Sequence, residues 1–255
     1  MRILLTNDDG IEAPGLHALR QIAMQLSDDV WTVAPEVNKS GAGHSLSLNE
    51  PLRMREVGER AFAVRGTPTD CVIMGVRHVL KDRRPDLVLS GVNRGANMAE
   101  DVTYSGTIAG AFEGTVIGIR SIALSQAYGA DSRNSPRWET ALAHGADNIR
   151  KVLALQWPER VLMNMNFPDV APERVKGVRI TTQGRREQDL LGIDERHDTW
   201  GNPYYWLAYE RRRSQTTEGT DLWAIYNGFI SITPLSMNLT HTPTHSALEA
   251  IYRSA

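Results

Sequence analysis

The chain has 255 residues, 41% of them hydrophobic, a formal net charge of −2 and a single cysteine, Cys71. That length and apolar content support one large folded core, the near-neutral balance gives no field to draw in a polymeric nucleic acid, and one cysteine excludes an intrachain disulfide and a cysteine-rich zinc site. No run approaches the roughly 18 apolar residues of a membrane span, and three apolar residues after Met1-Arg2 are too few for a signal-peptide core, so a cytoplasmic protein without a membrane partner is expected.

Ile3, Leu4 and Leu5 form a compact apolar strand that runs straight into Thr6-Asn7-Asp8-Asp9-Gly10, so two adjacent carboxylates stand at a strand end. Taken alone, Asp8-Asp9-Gly10 also reads as an Asx turn or a helix cap. Pro14 opens a helix whose apolar residues Leu16, Leu19, Ile22, Ala23 and Leu26 recur at helical spacing. Residues 30–34 read as a second strand, followed by a small, polar loop over 35–44 that carries Asn38, Ser40 and His44. A short strand over 61–64 precedes Thr67-Pro68-Thr69-Asp70, which has the cap, proline and acid of a helix start. That helix is expected to run to about residue 80.

The next buried strand, 87–89, ends in Ser90-Gly91-Val92-Asn93. From Ser105 a helix begins that holds Gly106, Ala109, Gly110, Ala111 and Gly114; each glycine costs a helix about 1 kcal/mol against alanine, so another part of the chain is expected to press close to it. A strand over 121–124, a long helix capped by Ser135-Pro136 and a strand over 161–165 continue the alternation, which predicts a mostly parallel sheet covered on both faces. Beyond residue 182 the texture changes. Residues 183–220 are polar and arginine-rich, with Trp200, Tyr204, Tyr205, Trp206 and Tyr209 around a turn at Gly201-Asn202-Pro203, a composition suited to an extended hairpin packed on the core or on another subunit. A strand over 225–233 and a helix over 245–253 complete the chain.

Asp8 and Asp9, the Asn38/Ser40 loop, and the segment from Asn93 and Asn97 to Ser105-Gly106-Thr107 each follow a predicted strand. In a parallel sheet such positions share one edge, where ligands bind. Carboxylate, amide carbonyl and hydroxyl oxygens suit a hard divalent cation, while a helix N-terminus at Ser105-Gly106-Thr107 offers unpaired N–H groups to an anion. A cation beside a phosphate seat points to phosphoryl chemistry, with Asp8 as the acceptor of a water's proton and His44 as a candidate proton donor. Other enzyme readings fail on spacing: Gly10 stands where a DxD phosphatase needs its second acid, Ser90 and Asn93 stand where a receiver domain needs an aspartate, and no G-x-G-x-x-G follows the first strand. A non-catalytic nucleotide sensor using the same pocket is the alternative.

Taken together, the string from Arg2 to Gly10, Ala13-Pro14-Gly15, Val33-Ala34-Pro35 with Asn38 to Gly41, Gly66 to Cys71, Ser90 to Asn93, Asp101 to Thr107 and Ser231-Ile-Thr-Pro-Leu235 resemble the SurE family, the survival-protein nucleotidases. The resemblance implies a Rossmann-like three-layer α/β sandwich over residues 1–182. It also implies a C-terminal extension over 183–255, with a hairpin arm, a final strand and a helix, exchanged between the subunits of a homodimer or homotetramer. It further implies a phosphatase of nucleoside 5′-monophosphates, active also on 3′-monophosphates and on short polyphosphate, with one divalent ion per subunit, Mg²⁺ or Mn²⁺, in a site that Ca²⁺ can also fill. Carried onto matching positions, the metal ligands are Asp8, Asp9, Ser40 and Asn93, and Asn97, Ser105, Gly106 and Thr107 surround the phosphate. Residues 211–218 and Arg94 depart from the family pattern, which leaves the subunit geometry and the substrate preference open.

Overall fold

A computed structural model describes residues 1–186, 191–209 and 214–253. Its elements begin with β1 (Arg2–Thr6), α1 (Pro14–Met24), β2 (Asp29–Pro35), β3 (Arg53–Gly58), β4 (Ala61–Arg65), α2 (Pro68–Met74), β5 (Leu87–Arg94) and α3 (Gly106–Val116). They continue with β6 (Arg120–Gln126), α4 (Trp138–Leu153), β7 (Val161–Phe167), β8 (Val178–Ile180), β9 (Leu191–His197), β10 (Pro203–Tyr209), α5 (Asp221–Tyr226), β11 (Ile230–Ser236) and α6 (Thr242–Arg253).

The strands are apolar on both faces because both faces are covered. On β1, Ile3 and Leu5 join one buried cluster and Leu4 the other; on β5, Leu87 and Leu89 join the first and Val88 the second. Helices α1 and α4 fill the first face with Leu16, Leu19, Ile22 and Ile149, whereas α2 fills the second with Cys71 and Val72. The result is a three-layer α/β fold around a nine-stranded sheet ordered β3-β4-β2-β1-β5-β6-β7-β11-β8. Strands β4, β2, β1, β5, β6 and β7 are mutually parallel, and in chain order they run third, second, first, fourth, fifth and sixth, the Rossmann arrangement. The order reverses between β1 and β5, so the crevice at the carboxyl ends of these two strands is where a ligand is expected.

The helix start at Thr67 is built as its residues require: Thr67 Oγ1 accepts from the Asp70 N–H (3.1 Å), and Asp70 Oδ2 accepts from the Thr67 N–H (2.8 Å). The α-helix ends at Met74, and one turn of π-helix (Gly75–Val79) carries the chain to residue 80. Three details differ from the sequence reading. α4 starts at Trp138 with Arg137 at its N-cap and no side-chain cap, so Ser135-Pro136 precedes the helix without capping it. Residues 225–233 are not one strand, because the Thr220 hydroxyl caps α5 and the β11 ladder begins only at Ile230. Strands β3 and β8 also escaped the pattern: β3 is an edge strand with mostly exposed residues, and β8 is three residues long. β11, which lies beyond residue 182, pairs antiparallel with β7 and parallel with β8 in the same sheet.

β9 and β10 form a two-stranded antiparallel hairpin. Asp198 Oδ1 shapes its turn by accepting from the N–H groups of Trp200 and Asn202 (2.9 Å each), and Gly201 supplies a φ of +83°. Trp200 is 85% exposed, Trp206 59% and Tyr205 60%, so this arm does not bury its aromatic residues on the core of its own chain. No residue of α6 is buried. The arginine run 211–213 lies outside the described residues. Among the described residues no helix is long and apolar enough to cross a membrane.

Candidate active site

The turn after β1 is closed by the Asn7 side-chain amide donating to the Gly10 carbonyl (2.8 Å), with Gly10 at φ +107°. This holds Asp8 at the sheet's carboxyl edge, where it is only 4% exposed. Three other segments fasten onto the acid pair. The Thr107 hydroxyl donates to Asp8 Oδ1 (2.5 Å), the Lys39 N–H donates to the Asp8 carbonyl (2.7 Å), and the Arg94 N–H donates to Asp9 Oδ2 (3.1 Å). The loops after β1, β2 and β5 and the first turn of α3 therefore meet at Asp8-Asp9.

The small residues of α3 explain how the helix comes so near. A Cβ at Gly106 would lie 2.7 Å from Asp8 Cβ, and one at Gly110 would lie 2.8 Å from both Ser90 Oγ and Thr6 Cγ2. At Gly114 it would collide with Ser121 Oγ. The stripe is a packing face, and its first member sits on the acid pair. Ser105 caps the helix through Oγ, which accepts from the Ile108 N–H (3.0 Å), and the helix start leaves the N–H groups of Gly106 and Thr107 without an intrahelical acceptor.

Ser40 is exposed, and its N–H donates to Asn38 Oδ1 (2.7 Å) in an Asx turn one residue after Lys39. Asn93 lies where the β5–β6 register slips by one residue between Ser90 and Asn93, a bulge that re-aims side chains at a strand end; its side-chain amide donates to the Gly95 carbonyl (2.8 Å). The Arg94 side chain donates to the Arg133 carbonyl, lies 5.6 Å from the Tyr128 ring centre and keeps its charge within reach of Asp9. Asn97 is held on every side: its N–H donates to Asn166 Oδ1 (2.9 Å), its side-chain amide to Ser125 Oγ (2.9 Å), and its carbonyl accepts from the side chains of Asn164 and Asn166 (2.8 and 3.1 Å). Asn164 and Asn166, fully buried on β7, are the site residues the sequence reading missed. Their signal was two amides at i, i+2 in a buried strand, which share a face.

His44 reaches from its loop to α3. Its Nε2 lies 3.0 Å from Glu113 Oε2, and its ring packs against Phe112 at 5.4 Å. Together with Ser105, Ile108, Ala109 and Phe112 it lines a cavity of about 550 Å³. Ile108, Ala109 and Phe112 lie on the flank of α3 well away from the glycine stripe of Gly106, Gly110 and Gly114, and the cavity reaches Ser105 at the helix start.

Burial pushes the Asp8 carboxyl up to about 6, with the Thr107 hydrogen bond opposing and the Asp9 charge adding to the rise. Asp9 is raised too, again chiefly by burial, against the pull of Arg94. Two neighbouring acids with hydrogen bonds but little counter-charge fit a divalent cation, which would supply the missing positive charge. Among the described residues no group of three or more His, Cys, Asp or Glu side chains is arranged for a metal. Any cation here would have to complete its shell with neutral oxygens.

Fold and site define a three-layer α/β protein of Rossmann order whose acid pair lies under a helix N-terminus at the sheet's switch point. The chain belongs to the SurE family: residues 3–189 match the family model described as Survival protein SurE. It is 61% identical over 254 residues to the 5′-nucleotidase SurE of Methylorubrum populi, covering 100% of both chains. To the 5′-nucleotidase SurE of Methylobacterium nodulans it is 60% identical over 252 residues, covering 99% of this chain and 100% of the relative. The crystal structure of the SurE protein from Aquifex aeolicus superimposes with a TM-score of 0.85 at 41% identity, covering 99% of this chain and 100% of that one.

Proposed function

We propose that this chain is a 5′-nucleotidase that hydrolyses nucleoside 5′-monophosphates, and also 3′-monophosphates and short polyphosphate, with one divalent cation, Mg²⁺ or Mn²⁺, held by Asp8, Asp9, Ser40 and Asn93. Phosphatase activity rests on the full-length relatives at about 60% identity that carry the name 5′-nucleotidase SurE. The observation that carries the site is the convergence of three loops and the first turn of α3 on two undercompensated carboxylates.

When bound, the cation would draw charge from the phosphate oxygens and make a water more acidic. The chain's own residues do the rest. The N–H groups of Gly106 and Thr107 and the Ser105 hydroxyl hold the remaining phosphate oxygens, and Asn97 borders the seat. Asp8 Oδ1 already accepts from the Thr107 hydroxyl, so Oδ2 is the oxygen left to face both the cation and the attacking water, whose proton Asp8 takes.

The exposed aromatic hairpin and the unburied α6 support assembly into a homodimer or homotetramer with exchanged extensions, since apolar surface of this kind marks interaction sites. A single cysteine, fully buried, accords with a reducing cytoplasm. The test is phosphate release from a panel of nucleoside monophosphates after chelation and after restoring Mn²⁺ or Mg²⁺. Metal-dependent release is expected, reduced at least a hundredfold in Asp9→Asn and Asn93→Ala. Tight nucleotide binding with no release would favour the sensor instead.

A further inference from the structure

The proposed phosphate seat has two ends, Asn97 and Ser105, and between them lies one five-residue 3₁₀ turn, Ala99–Thr103. Chain from more than eighty residues later grips this turn from outside. The Ala99 N–H donates to Asp221 Oδ2 (2.9 Å), and the Ala99 carbonyl accepts from the Gln183 side chain (2.9 Å). The Arg186 N–H donates to Glu100 Oε2 (3.0 Å), and Arg186 Nη2 donates to Asp101 Oδ2 (2.7 Å). Asp221, fully buried, also accepts from the Gly184 N–H (2.9 Å), so the clamp and the root of the β9–β10 arm are one hydrogen-bonded unit. Ala99 is fully buried at φ +51°, a left-handed conformation that a non-glycine residue keeps only where its surroundings impose it.

On its inner side the same turn carries the site. The Asp101 carbonyl accepts from the N–H groups of both Tyr104 and Ser105 (3.1 Å each), and the Tyr104 carbonyl accepts from the Gly43 N–H (3.2 Å), in the loop that holds Ser40. We propose that Arg186, acting through Asp101, is a positioning residue for the phosphate seat: it fixes the 99–104 segment and with it the cap of α3. This rests on the functional reading above. The side chains of the pair are only 10% and 13% exposed, so the contact is not a solvated surface bridge that can be dropped at no cost.

The experiment compares the full-length Mn²⁺-loaded protein with Arg186→Gln, Arg186→Lys and the double variant Arg186→Gln/Asp101→Asn, which removes both charges of the pair together. It reads the KM and kcat for a nucleoside 5′-monophosphate, and the Kd of inorganic phosphate by calorimetry. Arg186→Gln is expected to raise KM and the phosphate Kd at least tenfold while kcat changes less than threefold. Arg186→Lys should recover most of the phosphate affinity, and the double variant should melt near the wild type yet still bind phosphate weakly. A phosphate Kd within twofold of wild type in the folded double variant overturns the proposal, as does a fall in kcat with KM and phosphate Kd unchanged. If the wild type binds phosphate but turns over no nucleotide, the functional reading fails while the phosphate comparison still decides on Arg186.

Discussion

The Thr107 hydroxyl hydrogen-bonds Asp8 Oδ1 across 99 residues of sequence, so the first turn of α3 and the end of β1 are one rigid unit. This contact fixes the orientation of a buried acid and aligns a helix N-terminus with it.

Asp8→Asn is expected to abolish turnover while stabilising the metal-free protein. With the native carboxyl raised from 3.8 to about 6, the folded chain binds more protons than the unfolded one between those values. Stability therefore falls as pH rises through that window, and the penalty is complete above about pH 6. Asparagine removes it, a gain on the order of 3 kcal/mol at pH 7.5, and none at pH 3. Denaturant melts of both proteins at the two pH values check this.

Gly106→Ala should cost far more activity than stability. The added methyl meets Asp8 Cβ at 2.7 Å, an overpacking worth about 1–3 kcal/mol, partly offset by the roughly 1 kcal/mol that alanine contributes to a helix. A displacement near 1 Å at the reacting centre costs on the order of a hundredfold in rate. Paired measurements of Tm and kcat/KM should show a small shift in the first and a large loss in the second.

Thr67→Ala tests the opposite case. It removes the acceptor for the Asp70 N–H but leaves Asp70 bonded to the Ser47 hydroxyl and N–H (2.7 and 3.1 Å). Loss of the cap is expected to lower stability by about 1–2 kcal/mol, read from urea unfolding, with kcat within twofold of wild type.

Trp206→Glu addresses the arm. At 59% exposure the change should barely move the stability of an isolated chain, within about 0.5 kcal/mol. If the hairpin seats a second copy, sedimentation velocity will show a smaller particle for the variant at equal concentration.

Much of this molecule was legible in the chain. The apolar triplet before Asp8-Asp9, the Thr67-Pro68 cap and the glycine stripe from Gly106 each encode a local preference, and each stands as read, because strand period, capping and small-residue packing act over a few residues. What was not legible involved partners far apart. Asn164 read as one position of an apolar strand and Asn166 lay beyond its expected end, until Asn97 is seen between them and Ser125; nothing near His44 in the sequence pointed to Glu113, which its ring meets.

By itself, the sequence determined the alternation of strands and helices, the carboxyl-edge position of the two acids and the family, since these follow from short-range periodicity and near-continuous motifs. Only the tertiary structure decided which polar atoms meet: Thr107 on Asp8, Arg94's backbone on Asp9, Arg186 on Asp101. The physical reason is that a hydrogen bond is set to within a few tenths of an ångström by register and helix docking, and both emerge only when the two faces of the sheet are packed at once.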